Sequence, residues 1–209
     1  MKKKMLSMAA AITMAVVVLT GCSVAFSSAS IALTAHKYGM DEADNFEEYM
    51  EIFLSYDEGL DSAVYYVAKD SKEALHMYDT IYAIPLGYYP AMEIKEFAAC
   101  YENRFENNSG NNVQTEIYMI TANDKDSASD LYDSLVEKCA SYKTDSGTKN
   151  GYTYTIAFYG NKDRSLAFGI YMKGNTVISI SQRGDTLTDD CAAFFCKELE
   201  LESPYTLLE

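Results

Sequence analysis

Apolar residues recur along this chain in two periods, and the period changes from one segment to the next. Over residues 41–54, Phe46, Tyr49, Met50 and Phe53 fall at i, i+3, i+4 and i+7, the spacing of one helical face. Acidic Asp41, Glu42 and Asp44 precede that stripe and suit a helix N-terminus. Residues 63–68 (AVYYVA) read as a strand. Ser71 is placed to cap a helix over 72–82, with Ala74, Met77, Tyr78 and Ile81 on one side. Pro85, Gly87 and Pro90 then break the chain. Residues 93–104 suit either period. They are assigned as a strand because the Asn-rich run 107–112 is a hairpin-like loop leading into a clear strand at 115–122. Ala128, Leu131, Tyr132, Leu135 and Cys139 form the strongest helical stripe, behind Asp124 and Asp126. Residues 145–151 are polar and read as a loop. Strands follow at 152–159, 165–172 and 176–182, the last two closed by Lys173-Gly174-Asn175. A final helix over 187–201 buries Ala192, Phe195 and Leu199 and stops at Ser203-Pro204.

Residues 63–82 align without gaps on 117–136, matching at an Ala, an Asp, a second Ala, a Tyr and a second Asp. Both copies read strand, acidic turn, helix. Repetition of that unit predicts an α+β fold: an antiparallel sheet with helices mainly on one face. The expected core is a ferredoxin-like βαββαβ arrangement, extended by an extra hairpin and a C-terminal helix.

The N-terminus follows another pattern. Lys2, Lys3 and Lys4 precede an uncharged apolar run from Ala9 to Leu19, and Leu19-Thr20-Gly21-Cys22 follows. This resembles the signal peptide and lipobox of bacterial lipoproteins. The resemblance implies cleavage after Gly21 and a diacylglycerol thioether on Cys22. The uncharged stretch 6–35 also has the length of a membrane span, ~20 residues. Its second half is interrupted by Thr20, Gly21, Ser23, Ser27, Ser28 and Ser30, which favours an export signal. Either way the domain is expected outside the cytoplasmic membrane, since the lysines stay inside. The expected organisation is a signal peptide at 1–21, a lipidated Cys22 with a Ser-rich tether over 22–40, and one α+β domain over 41–209.

Cleavage would leave 188 residues, the 209 less the 21 removed, within the range of one domain. Loss of three lysines would move the formal charge from −14 to −17. Such a chain does not bind nucleic acid, whose affinity comes from cations neutralising phosphates. Anionic headgroups should repel it as a whole, so its membrane link is expected to be covalent. Cys100, Cys139, Cys191 and Cys196 remain. Cys191 and Cys196, five apart on one helix, have Cα atoms about 8 Å apart and do not suit a bridge. Cys139 with Cys191 or Cys196 stays open if their helices are neighbours. The alternative is four reduced, buried thiols.

With the lipobox and this element order, the chain resembles small lipoproteins of Gram-positive anaerobes. The resemblance is carried by Lys37-Tyr38-Gly39, by Asn150-Gly151-Tyr152-Thr153-Tyr154-Thr155, and by Gly169-Ile170-Tyr171 with Gly174-Asn175-Thr176-Val177. It implies a location and no particular activity.

Candidate chemistry is sparse. The acidic runs at 41–48 and 124–130 lack the Gly and the spaced Glu of a calcium loop, so they read as helix caps and solvated faces. No metal and no cofactor is expected. His36, at the end of the tether, and His76, on the outer side of a short helix, read as surface residues. No Gly-Xaa-Ser-Xaa-Gly, HExxH or phosphate-loop motif is present. The tyrosines offer more. Tyr118, Tyr159 and Tyr171 are the candidate binding surface, able to stack on a glycan or anchor an envelope protein. That surface exists only if helix 41–54 does not cover it. The function expected is a membrane-anchored, non-catalytic binding or accessory module. The alternative is a small cell-envelope hydrolase using carboxylates.

Overall fold

Alternation of apolar and polar side chains builds eight strands, paired in one sheet. A computed structural model describes residues 26–55, 61–83, 92–106, 111–160, 165–184 and 190–208. The signal segment 1–21 and Cys22 lie outside the described residues. So do the Pro-rich stretch 84–91, most of the Asn-rich loop (107–110) and the expected helix start at 187–189. The strands are β1 (Asp41–Glu42), β2 (Ser62–Val67), β3 (Ile94–Glu106), β4 (Asn111–Ala122), β5 (Lys143–Lys149), β6 (Tyr152–Gly160), β7 (Ser165–Lys173) and β8 (Thr176–Gly184). They lie in the order β1-β2-β3-β4-β8-β7-β6-β5. The short β1 runs parallel to β2, and every other pair is antiparallel. The sheet is therefore mixed, and the fold is α+β.

Five α-helices are present among the described residues: α1 (Ser28–Tyr38), α2 (Phe46–Leu54), α3 (Ser71–Tyr78), α4 (Lys125–Lys138) and α5 (Asp190–Glu198). A π-turn (Asp79–Ala83) prolongs α3, and a 3₁₀ turn (Pro204–Leu208) ends the described chain. Helices were expected mainly on one face, and they cover both. Phe46, Tyr49, Ala74, Met77, Leu131 and Leu135 of α2, α3 and α4 pack with Val64, Tyr66, Phe97, Tyr101, Ile120 and Ile170 on one face. Ile31 and Ala35 of α1, and Cys191, Phe195 and Cys196 of α5, pack with Ala98, Cys100, Ile117, Ile156 and Ile178 on the other. Central strands buried on both faces read as near-continuous apolar runs, as Ile117, Met119 and Ile120 do.

Two further expectations are corrected. The ferredoxin-like core requires the chain to cross from β2 over a helix to a parallel strand. Instead β3 lies directly beside β2 and antiparallel to it, with Val67 opposite Ala98. The chain leaves β2, descends through α3, and enters β3 again at the end of the sheet that it left. The Ser-rich tether is also shorter than expected. From Ser28 the segment is helical, because Ser27 accepts a bond from Ser30 N as N-cap and Gly39 at φ 99° closes the far end. Ile31 and Ala35 are fully buried beneath that helix.

The internal repeat holds at the level of its unit. Asp70 and Asp124, aligned in sequence, are the N-caps of α3 and α4. The aligned Ala74 and Ala128 both lie flat against the sheet at 0 % exposure. Residues 145–151, expected as a loop, are mostly strand β5. The turn is confined to Asn150-Gly151, both at positive φ (48° and 79°), which is the two-residue hairpin geometry that Asn-Gly favours.

Candidate functional site

The three candidate tyrosines do not share a surface. Tyr118 on β4 is buried on the α2 side and donates to Glu116 Oε2 at 3.2 Å. Tyr171 on β7 is fully buried on the opposite side and donates to the Glu202 carbonyl at 2.6 Å. Burial pushes its hydroxyl pKa well above the usual range. Tyr159 alone is exposed (46 %), with its ring 5.4 Å from that of Tyr142. The binding surface expected from Tyr118, Tyr159 and Tyr171 is thus not formed. The first two are core residues, and the helix stripe of Phe46 and Tyr49 covers the face that Tyr118 occupies.

A polar cluster that the sequence reading passed over lies on the α1–α5 face. Glu102 is 4 % exposed. Tyr38, the last residue of α1, donates to Glu102 Oε1 at 2.7 Å. Arg104, two residues along β3 and so on the same face, brings Nε to 3.1 Å from Oε1 and donates from Nη2 to Oε2 at 3.3 Å. Arg104 Nη2 also lies 3.3 Å from the Tyr38 hydroxyl. The polar row continues across two more strands, because Glu102 faces Thr115 and Thr115 faces Gln182. Gln182 donates to Thr115 Oγ1 at 3.1 Å and accepts from the Tyr205 hydroxyl at 2.7 Å. Burial, then the Glu102 bond, pushes the Tyr38 hydroxyl far above its ordinary pKa. Both Glu102 oxygens are engaged by these partners. The parity of Ala98, Cys100, Glu102 and Arg104 was the available signal: it places a charged pair on the buried side of a strand.

A second ionic pair lies on the other face. Arg183 donates to Gln114 Oε1 at 2.6 Å and to Glu116 Oε1 at 3.3 Å. Arg183 is about half exposed, and such pairs contribute at most ~1 kcal/mol. His36 and His76 are both exposed, His36 on α1 rather than on a tether, and His76 edge-on to the Phe46 ring at 5.5 Å. Among the described residues no three His, Cys, Asp or Glu side chains converge into a metal-binding group.

All four cysteines are free and buried. Cys139 packs on the α4 face, whereas Cys191 and Cys196 pack on the α5 face, so the sheet separates Cys139 from either. Burial pushes the thiol pKa up to about 11 for Cys139 and about 12 for Cys196, and well above the ordinary value for Cys100 and Cys191. The thiolate is the reactive species. Native protein should therefore react with Ellman's reagent at neutral pH only on the timescale of unfolding, and all four thiols should titrate at once in guanidinium. Rapid labelling of any of them in the native state would contradict this burial.

One open cleft of about 380 Å³ lies where α3 meets the start of β3 and the end of β4. Lys72, Lys95, Glu93, Ser71 and Asn123 supply its polar wall, and Leu75 and Ile94 its apolar one. Lys95 donates to the Asn123 carbonyl at 3.0 Å. Leu75 is 38 % exposed. Neither lysine was singled out by motif, because the strand register and the helix start bring together residues 23 positions apart.

No family model matches the chain, and no curated protein matches it. Among solved structures, the extracellular domain of PknH from Mycobacterium tuberculosis is similar at 13 % identity over 65 % of this chain and 76 % of that one, with a TM-score of 0.34.

Proposed function

We propose that this chain is a lipid-anchored extracytoplasmic domain acting as a non-catalytic binding or accessory module, held to the membrane through Cys22. The observation that carries the reading is the succession Lys2-Lys3-Lys4, apolar run, Leu19-Thr20-Gly21-Cys22, with a docked helix beginning at Ser28. Among the described residues no helix is long and apolar enough to cross a membrane. The attachment this reading supplies is a covalent lipid on Cys22. The non-catalytic part is supported by how the buried polar groups are used. Glu102, Arg104 and Tyr38 bond to one another, as do Thr115, Gln182 and Tyr205, and such buried networks fix strand and helix positions.

Cys22→Ala should abolish incorporation of labelled palmitate and leave the uncleaved precursor in the membrane fraction. A mature N-terminus elsewhere, with no diacylglycerol mass on Cys22, would refute the anchor.

A further inference from the structure

We infer that an open strip at one end of the sheet, on the α2–α4 face, binds an uncharged oligosaccharide between two groups of side chains: Gln114, Glu116 and Arg183 at one end of the strip, and the Tyr142–Tyr159 ring pair at the other. The inference rests on the binding-module reading and gives it a ligand. Strand register places the strip. Gln114 on β4 faces Arg183 on β8, Arg183 faces Leu166 on β7, and Leu166 faces Tyr159 on β6. Lys143 of β5 faces Phe158, so Tyr142 falls opposite Tyr159, and their rings lie 5.4 Å apart. Two residues along the strands, and so on the same face, Glu116, Ser181 and Phe168 form a second row. Neighbouring strands lie ~4.8 Å apart, so the first row crosses about 19 Å, the reach of an oligosaccharide and not of a single sugar. β4, β8 and β7 are interior strands, yet here their side chains meet solvent. Arg183 and Glu116 keep 47 % and 21 % of their side-chain surface, and Leu166, Phe168 and Ser181 are half-buried. Among the described residues no helix covers this end: α2 lies over β3 instead, with Phe53 edge-on to Tyr101 at 4.9 Å.

The polar end is prearranged by its own bonds. Arg183 donates from Nε to Gln114 Oε1 at 2.6 Å and from Nη2 to Glu116 Oε1 at 3.3 Å, while Glu116 Oε2 accepts from the buried Tyr118 hydroxyl at 3.2 Å. Three planar polar groups are thus held side by side, with donors and acceptors in one small area, which suits the adjacent hydroxyls of a pyranose. The far end supplies aromatic surface, since a tyrosine ring offers an apolar face to sugar C–H groups and a polar tip. Charge and area decide against other occupants. Arg183 and Glu116 cancel, and Glu137 and Lys138, which end α4, are one of each sign. Lys143, beside Tyr142, is drawn to the opposite face by the Leu207 carbonyl at 2.6 Å. The strip itself therefore favours neither a polyanion nor a polycation, and the formal charge of −14 repels acidic polymers at long range. A protein partner would need a larger apolar centre than Leu166 and Phe168 provide.

The test titrates the full-length protein by calorimetry with cellohexaose, chitohexaose, mannohexaose and maltohexaose, and with hexagalacturonate as the anionic counterpart. At least one neutral hexasaccharide should bind, and hexagalacturonate should not. Arg183→Ala should weaken that binding about tenfold or more, through loss of charge-assisted hydrogen bonds. Tyr159→Ala should weaken it about fivefold, through loss of the ring face. Both side chains are half exposed, so both variants should melt with the parent. Should Arg183→Ala prove unstable, Tyr159→Ala decides alone. Lys149→Ala, on the opposite face of β5, should bind as the parent does. Binding of none of the four neutral sugars would overturn the inference, as would binding that survives both variants or equal binding of hexagalacturonate. Chromatography of the recovered sugar keeps this separate from the reading beneath it. Shortened products would overturn the non-catalytic reading, whereas intact sugar without binding overturns only the ligand.

Discussion

Tyr171→Ser should destabilise the domain by about 3–5 kcal/mol, the range for truncating a large buried aromatic side chain. For a chain of this size ~1 kcal/mol lowers the melting temperature by about 2–4 °C, so a fall of roughly 10 °C is expected in a thermal melt followed by circular dichroism. Three features make the effect large. The ring is fully buried against Tyr152, at 6.0 Å between centroids. Its hydroxyl holds the Glu202 carbonyl and so pins the chain leaving α5. It also lies along its own strand over Gly169, where an added Cβ would come within 2.1 Å of the Tyr171 hydroxyl. Tyr159→Ser, by contrast, should change stability by less than about 0.5 kcal/mol, since the side chain is exposed. A Tyr171→Ser protein that melts with the parent would show that this side chain is not part of the core.

Arg104→Ala should cost a similar amount, about 3–5 kcal/mol, by leaving the Glu102 carboxylate buried without its cation. The control is informative. Arg104→Leu combined with Glu102→Leu removes both charges and should recover most of the loss, because an apolar pair of similar volume needs no desolvation of ions. Urea melts of the three proteins check this. If Arg104→Ala and the double variant have the same midpoint, the loss comes from missing packing and not from an isolated charge.

The two positions also show what sequence carries and what it does not. Several helical stripes and strands were legible: α2 and α4 by the 3.6 period, β2, β4, β6, β7 and β8 by β-branched and aromatic runs. Asp124 marked one helix start, whereas the cap expected at Ser71 is made one residue earlier, by Asp70. Strand order was not legible, because local pattern does not record whether α3 returns the chain to a parallel or an antiparallel neighbour. Alternation cannot say which of two covered faces a residue joins, so Tyr118 and Tyr171 looked like partners when the sheet lies between them. The helix over 28–38 was lost among hydroxyl residues that cap it and bond back to its carbonyls: Ser27 accepts from Ser30 N, and Thr34 donates to the Ser30 carbonyl. β5 was hidden by its polarity, although Asn150-Gly151 was its available signal.

A membrane-tethered protein diffuses in two dimensions, where copies collide far more often than the same number free in solution. In that setting an open strand margin invites lateral polymerisation into ribbons. This sheet ends in ways that discourage it. On one side the outermost strand is the two-residue, acidic β1, which offers too little backbone to template a neighbour. On the other, β5 (KTDSGTK) is exposed along almost its whole length and carries no large apolar side chain. Its two lysines are drawn back onto the C-terminal segment, Lys143 to the Leu207 carbonyl at 2.6 Å and Lys149 to Glu202 at 2.7 Å. The polarity that concealed β5 in the sequence is thus what would keep the domain dispersed under the proposed membrane anchoring.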